Sequence, residues 1–232
     1  MEENREQKLL KLESGQETIY HELGHLLGYI LANVSEATWL GEVAEFSIGF
    51  KRRCVVPKEY LYHKTYKKGG LTDEDLKHNT KNLPRTLAWV CEVLLGCTAQ
   101  CVFEKKEFPT CYRKAVGWEI VMGNTDYRNV ECVNQRSFYE FDDSFLASFQ
   151  IDIEKFVKNN DVINKLAPFV KRIKDEISQT DDFQKTYRGD DLELLYNSVS
   201  EILDDGMKVS YLEMINKFSD ELKSLHSSEN SP

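Results

Sequence analysis

The sequence predicts a mainly α fold of the α+β class, in which helices surround a small β-hairpin or sheet. Three observations carry that expectation. Most of the chain between residues 14 and 225 spaces its apolar residues three and four positions apart, the period of one helix face. One stretch, Phe46-Ser47-Ile48-Gly49-Phe50, alternates instead with the period of a strand. Hydrophobic residues make up 41% of the 232, enough to bury a sizeable core. The expected organisation is one compact domain over residues 1–180 and a helical C-terminal extension over 181–232 that ends in a disordered tail.

In chain order, residues 1–13 are polar. Ser14, with Glu17 three positions later, has capping-box spacing. Ile19, Leu23, Leu26, Leu27, Ile30 and Leu31 then trace a helix to about Asn33. Gly24 and Gly28 interrupt it. Each costs up to about 1 kcal/mol relative to Ala in a helix, so their small size suggests close approach by another backbone or room beside a bound group. The stretch from Ala37 to Val56 predicts a hairpin with Lys51-Arg52-Arg53 near its turn. Residues 57–80, with Pro57, Gly69-Gly70 and Thr72-Asp73-Glu74-Asp75, predict a surface loop in which His63 and His78 face solvent.

From Asn82, with Pro84 in the first turn, Leu87 to Val102 predict a central helix, and Glu104–Lys114 a loop. Gly123-Asn124-Thr125-Asp126 reads as a stop followed by a new N-cap. Tyr127, Val130, Val133, Phe138 and Phe141 would form the buried side of the helix that follows. Helices are expected over Asp143–Asn159 and Asp161–Ser178, with a local break at Ala167-Pro168. Gln179–Asp191 is polar and reads as a linker. Leu192–Leu225 is helical in two pieces divided at Asp204-Asp205-Gly206, and Ser227–Pro232 is expected to be disordered.

The chemistry concentrates in the first helix, where His21-Glu22-Leu23-Gly24-His25 is an H-E-x-x-H pattern. At 3.6 residues per turn, His21 and His25 stand one turn apart on one face, so both imidazoles can bind one metal ion. Zinc is the expected cofactor. Glu22 is the expected catalytic base, taking a proton from a water that the metal activates and returning it to a leaving amine. A catalytic zinc needs a third protein ligand, for which Glu36, Glu42, Glu45, Glu92 and Asp126 are candidates that spacing does not separate. The six cysteines form no C-x-x-C pair and read as reduced core thiols.

Three stretches resemble the peptidase domain of the FtsH-type membrane proteases. Thr18-Ile19-Tyr20-His21-Glu22-Leu23-Gly24-His25 is similar to that family's T-x-Y-H-E-A-G-H helix. Leu94-Leu95-Gly96-Cys97-Thr98-Ala99-Gln100-Cys101-Val102-Phe103 is similar to its L-L-G-G-R-A-A-E-E-L-V-F, with Gln100 and Cys101 in place of an acidic pair. Gly123-Asn124-Thr125-Asp126-Tyr127 resembles its G-A-x-N-D-L. The resemblance covers roughly residues 14–180, in matching order. It implies a helical zinc-protease fold in which His21, His25 and Asp126 hold the metal, and it implies self-association as a homo-oligomer. The family's ATP-driven half has no counterpart: no G-x-x-x-x-G-K-[ST] motif occurs, and no run of 18 apolar residues suggests a membrane span.

The expected function is therefore that of a soluble, ATP-independent zinc metallopeptidase acting on peptides or unfolded segments, with the hairpin near residues 43–50 aligning an extended peptide. The alternative is a non-catalytic, metal-containing domain that binds peptides or proteins on the same scaffold. A net charge of −9 argues against a nucleic-acid partner. The charged first residues, where a secretory signal would be apolar, point to the cytoplasm.

Overall fold

Two buried helices form the centre of the fold. The computed structural model describes residues 15–49, 53–62, 71–116, 119 and 121–229. Helix α1 (Gln16–Ala32) is buried from Thr18 to Ala32 and packs mainly on α3 (Leu83–Glu104), with the short helix α2 (Asp73–Asn79) between them in sequence. Both helices are buried on nearly every side, polar residues included, as helices surrounded by protein are. They pack backbone against backbone. A Cβ on Gly24 would lie 2.5 Å from the Leu95 carbonyl oxygen, and one on Gly28 would lie 2.6 Å from Glu92 Cα. The two glycines thus answer to close helix contact, as their small size suggested. Among the described residues, α3 alone is long and apolar enough to cross a membrane, and 89% of that window is buried inside the protein.

Strands β1 (Val43–Gly49) and β2 (Cys54–Pro57) pair antiparallel, with Phe46 opposite Val55 and Ser47 opposite Cys54. Residues 50–52, where the turn was expected, lie outside the described residues. A third strand, β3 (Gln184–Tyr187), pairs antiparallel with the other side of β1, giving the order β2-β1-β3. This corrects the linker reading of Gln179–Asp191. Only Tyr187 of that strand is buried, so an edge strand facing water carries little of the apolar signal that marks a strand in sequence. Glu45 beneath the sheet accepts hydrogen bonds from Arg188, which follows β3.

Residues 71–80 are also less irregular than expected. Helix α2 (Asp73–Asn79) begins at a capping box in which Thr72 accepts from the Asp75 backbone and Asp75 accepts from Thr72. The acidic run that reads as a loop is thus a helix start, where carboxylates meet unpaired N–H groups. His78 is exposed, and His63 lies outside the described residues.

Helix α4 (Asn124–Asn134) starts from Gly123 rather than from Asn124 or Thr125. It buries Val130 and Val133 but ends before Phe138, which is 45% exposed, and before Phe141, which is buried. The remaining helices are α5 (Asp143–Asn159), α6 (Val162–Gln179), α7 (Gly189–Ser200) and α8 (Asp205–Glu229). Asp142 caps α5 by accepting from the Phe145 backbone. Pro168 does not break α6. It is exposed, so the carbonyl that its ring leaves unpaired can turn to water. Ser227–Glu229, expected to be disordered, continue α8, and residues 230–232 lie outside the described residues.

Among the described residues, 65% are thus helical, with a small three-stranded antiparallel sheet. Helices α5 and α8 close one side of α3 and pack on each other through tilted aromatic rings, with Phe149 and Phe218 centroids 4.8 Å apart. The other side of the α1–α3 pair faces α4 and the sheet.

Candidate metal centre

Helix α1 presents His21 and His25 toward α3, and α4 brings Asp126 in its first turn. The three side chains meet. His21 Nε2 lies 3.1 Å from His25 Nε2 and 3.2 Å from Asp126 Oδ2, and His25 Nε2 lies 3.7 Å from the same oxygen. Two atoms each 2.0–2.1 Å from one tetrahedral ion stand about 3.3 Å apart. The three donors therefore have the spacing that a zinc ion requires, and their types, two imidazoles and a carboxylate, suit it.

Hydrogen bonds on the far sides of the rings fix which nitrogens face the centre. His25 Nδ1 donates to the Glu92 backbone oxygen at 3.1 Å, with Glu92 Oε1 also at 3.1 Å. His21 Nδ1 donates to Gln100 Oε1 at 3.2 Å. The Gln100 amide is oriented by its own Nε2, which donates to Glu104 at 3.0 Å, and by the Cys111 thiol, 3.0 Å from Oε1. With both Nδ1 atoms donating, both Nε2 atoms direct lone pairs at each other and at a carboxylate. Such a convergence is unfavourable unless a cation lies within it.

The protonation behaviour of the same groups shows that demand. Burial drives the His21 pKa down, but hydrogen bonds to Asp126 and Cys111 overcome it and raise the value from 6.5 to about 9. His25 rises too, for burial is again outweighed, here by Asp126 and Glu92. Burial pushes Asp126 up, yet the two imidazoles hold it well below the usual carboxylate range. Glu22 and Glu92 are raised, chiefly by burial. A raised carboxyl is a better proton acceptor, because its pKa lies closer to neutral pH.

Space at the centre depends on α3. A Cβ on Gly96 would fall 2.4 Å from His25 Nε2, so any larger residue would displace the imidazole. Above the centre opens a cavity of about 480 Å³, lined by His21, Glu22, His25 and Asp126 on one side and by β2 on the other. Of the other third-ligand candidates, Glu92 braces His25 from behind, while Glu42 pairs with Lys58, Glu45 pairs with Arg188, and Glu36 is exposed. Of the stretch near residues 43–50 expected to align a peptide, Val43–Gly49 do not line the cavity, because β1 is paired on both sides and β2 is the strand that lines it; residue 50 lies outside the described residues.

Three residues, Gln100, Cys97 and Cys111, enter the site beyond those the sequence singled out as ligands or base. Gln100 and Glu92 orient the two imidazoles. Cys111, with Cys97, forms a second group of possible donors around His21, and Cys97 Sγ lies 3.7 Å from Asp126 Oδ2. Cys111 gave no signal beyond its apolar surroundings, because it lies in a loop and reaches the site only through folding. All six cysteines are free thiols. Compared with protein families, curated proteins and solved structures, the chain gives no match, so a functional reading rests on the geometry of this site.

Proposed function

We propose that this chain is a zinc-dependent metallopeptidase that hydrolyses peptide bonds in peptides or unfolded segments, with a centre of the FtsH-peptidase type. The observation that carries the reading is the convergence of His21 Nε2, His25 Nε2 and Asp126 Oδ2, with both Nδ1 atoms committed elsewhere. His21, His25 and Asp126 would hold the ion. When bound, zinc lowers the pKa of a water to about 7 and polarises a carbonyl.

The chain's own residues supply the rest. Glu22, next to His21 and raised by burial, accepts a proton in the cavity and delivers it to the departing amine. Glu92 and Gln100 keep the imidazoles in the tautomer that offers Nε2. Strand β2, the outer strand of the described sheet, offers backbone groups along which an extended peptide can pair across the cavity.

The test is a quenched fluorescent peptide library incubated with zinc-loaded protein. Cleavage should stop with a chelator, return with zinc, and fall about 10²–10⁴-fold in Glu22→Gln. Equal cleavage by Glu22→Gln would remove the base assignment, and no zinc-dependent cleavage would remove the enzyme.

The buried thiols favour a second reading, a non-catalytic peptide-binding domain with a closed metal centre. Cys97 is the nearest thiol to Asp126, and a protein ligand in the fourth position would leave no place for water. Cys97→Ser should leave zinc affinity unchanged if the centre is open and weaken it if the centre is closed.

A further inference from the structure

Fifteen of the described residues line the cavity over the metal centre, and among these Arg53 is the one Lys or Arg. It stands just before β2, at the end of the strand proposed to align a peptide. Its guanidinium is held but not neutralised. Nε donates to the Gly49 carbonyl at 3.0 Å, and Nη1 reaches the Met122 thioether at 3.8 Å. A thioether is a weak acceptor. Among the described residues no carboxylate lies within ion-pairing distance of Arg53, in contrast to Arg188 with Glu45 and Arg113 with Glu119.

The two contacts also define direction. Gly49 ends β1, while Met122 precedes the helix that carries Asp126, so Arg53 spans from the sheet wall of the cavity toward the wall that supplies the third ligand. The guanidinium is a planar fork matched to a carboxylate, and two of its N–H directions remain for one. Apart from the two histidines, the other ionisable carboxyl and amine side chains among the described lining residues are acidic: Glu22, Glu92 and Asp126. Without a cation at its rim, such a site would repel acidic chains.

We infer that Arg53 selects peptides carrying a carboxylate close to the bond to be cleaved, supplied by an Asp or Glu side chain or by the peptide's C-terminus. The inference rests on the peptidase reading for the word cleaved, but selection itself can be measured without turnover.

The experiment uses the full chain as zinc-loaded Glu22→Gln and three fluorescein-labelled peptides of one short sequence. One has a central Glu and an amidated end, the second a central Gln and an amidated end, and the third a central Gln and a free carboxylate. The Glu peptide should bind roughly fivefold to tenfold more tightly than the Gln amide at low salt, with the preference shrinking in high salt. The third peptide separates the two carboxylate sources. Adding Arg53→Gln should abolish the preference, and Arg53→Lys should keep part of it. Peptides that bind equally or not at all, or a preference that survives Arg53→Gln, would overturn the inference. If the preference depends on Arg53 while the unmodified chain cleaves none of the three, carboxylate selection stands and the peptidase reading falls.

Discussion

The α1–α3–α4 junction and the α5–α8 junction bury their side chains to a similar depth with opposite chemistry. At the first, His21, Glu22 and His25 are 3%, 6% and 8% exposed and bring lone pairs together. At the second, Phe149 and Phe218 are 0% and 1% exposed and pack ring against ring, with Phe145 edge-on to Phe218 at 5.5 Å. Aromatic burial is favourable by itself. Convergent polar burial is not, and becomes favourable only when a cation joins it. The first region is therefore the one whose burial a bound cation would favour, and the second stabilises the fold without one.

The largest expected effect breaks the first region alone. Asp126→Ala removes one of three donors, and zinc retained after exhaustive dialysis should fall from one ion per chain to a small fraction. The fold should persist, because Asp126 lies in the first turn of α4, is only partly buried and belongs to no apolar packing. Zinc that stays at one per chain would show that another residue is the third ligand.

Next comes the second region. Phe149→Ala should lower stability by about 3–5 kcal/mol through lost burial and a cavity. The protein that remains folded in the cold should bind zinc as before, since α5 contributes no residue to the centre. Loss of zinc binding at low temperature would show that the two regions are one cooperative unit. A smaller effect returns to the centre: Gln100→Ala frees the His21 ring to turn and should weaken zinc binding about 10–100-fold. Gln100→Glu should restore it, because a carboxylate accepts the same Nδ1–H.

The two regions were also unequally legible in the sequence. The aromatic junction follows from helical periodicity, which depends on neighbours in the chain, and α5, α6 and the halves of the C-terminal helical stretch lie close to where the apolar spacing puts them. His21 and His25 are legible for the same reason, being one turn apart. Asp126 is not, because its position depends on how α4 docks, and only the resemblance at Gly123-Asn124-Thr125-Asp126 singled it out. Glu92 illustrates the limit. It was a fair candidate for third ligand, being on the right helix, but whether a carboxylate reaches a metal or the back of an imidazole is decided by packing of about one helical turn. Strand β3 and helix α2 were missed because one is a polar edge and the other a short helix whose first turn is acidic.

The smallest effect separates the regions by pH. In metal-stripped protein, folding raises the His21 pKa from 6.5 to about 9, as burial, which lowers it, is overcome by Asp126 and Cys111. The stability this contributes is complete below about pH 6.5 and is lost as pH climbs through about 9. His25, Glu22 and Glu92 are shifted upward and act with the same sign. Asp126, held below the usual carboxylate range, is ionised whether folded or unfolded across this window and adds no slope. Zinc requires unprotonated imidazoles, so its own contribution grows as pH rises. The difference in Tm between zinc-loaded and chelator-stripped protein should therefore widen from about pH 6 to about pH 9. The loss caused by Phe149→Ala should stay level over the same range, because ring packing exchanges no protons. A zinc-dependent difference that stays level too would mean that the ion does not compete with protons for His21 and His25, and that it sits elsewhere.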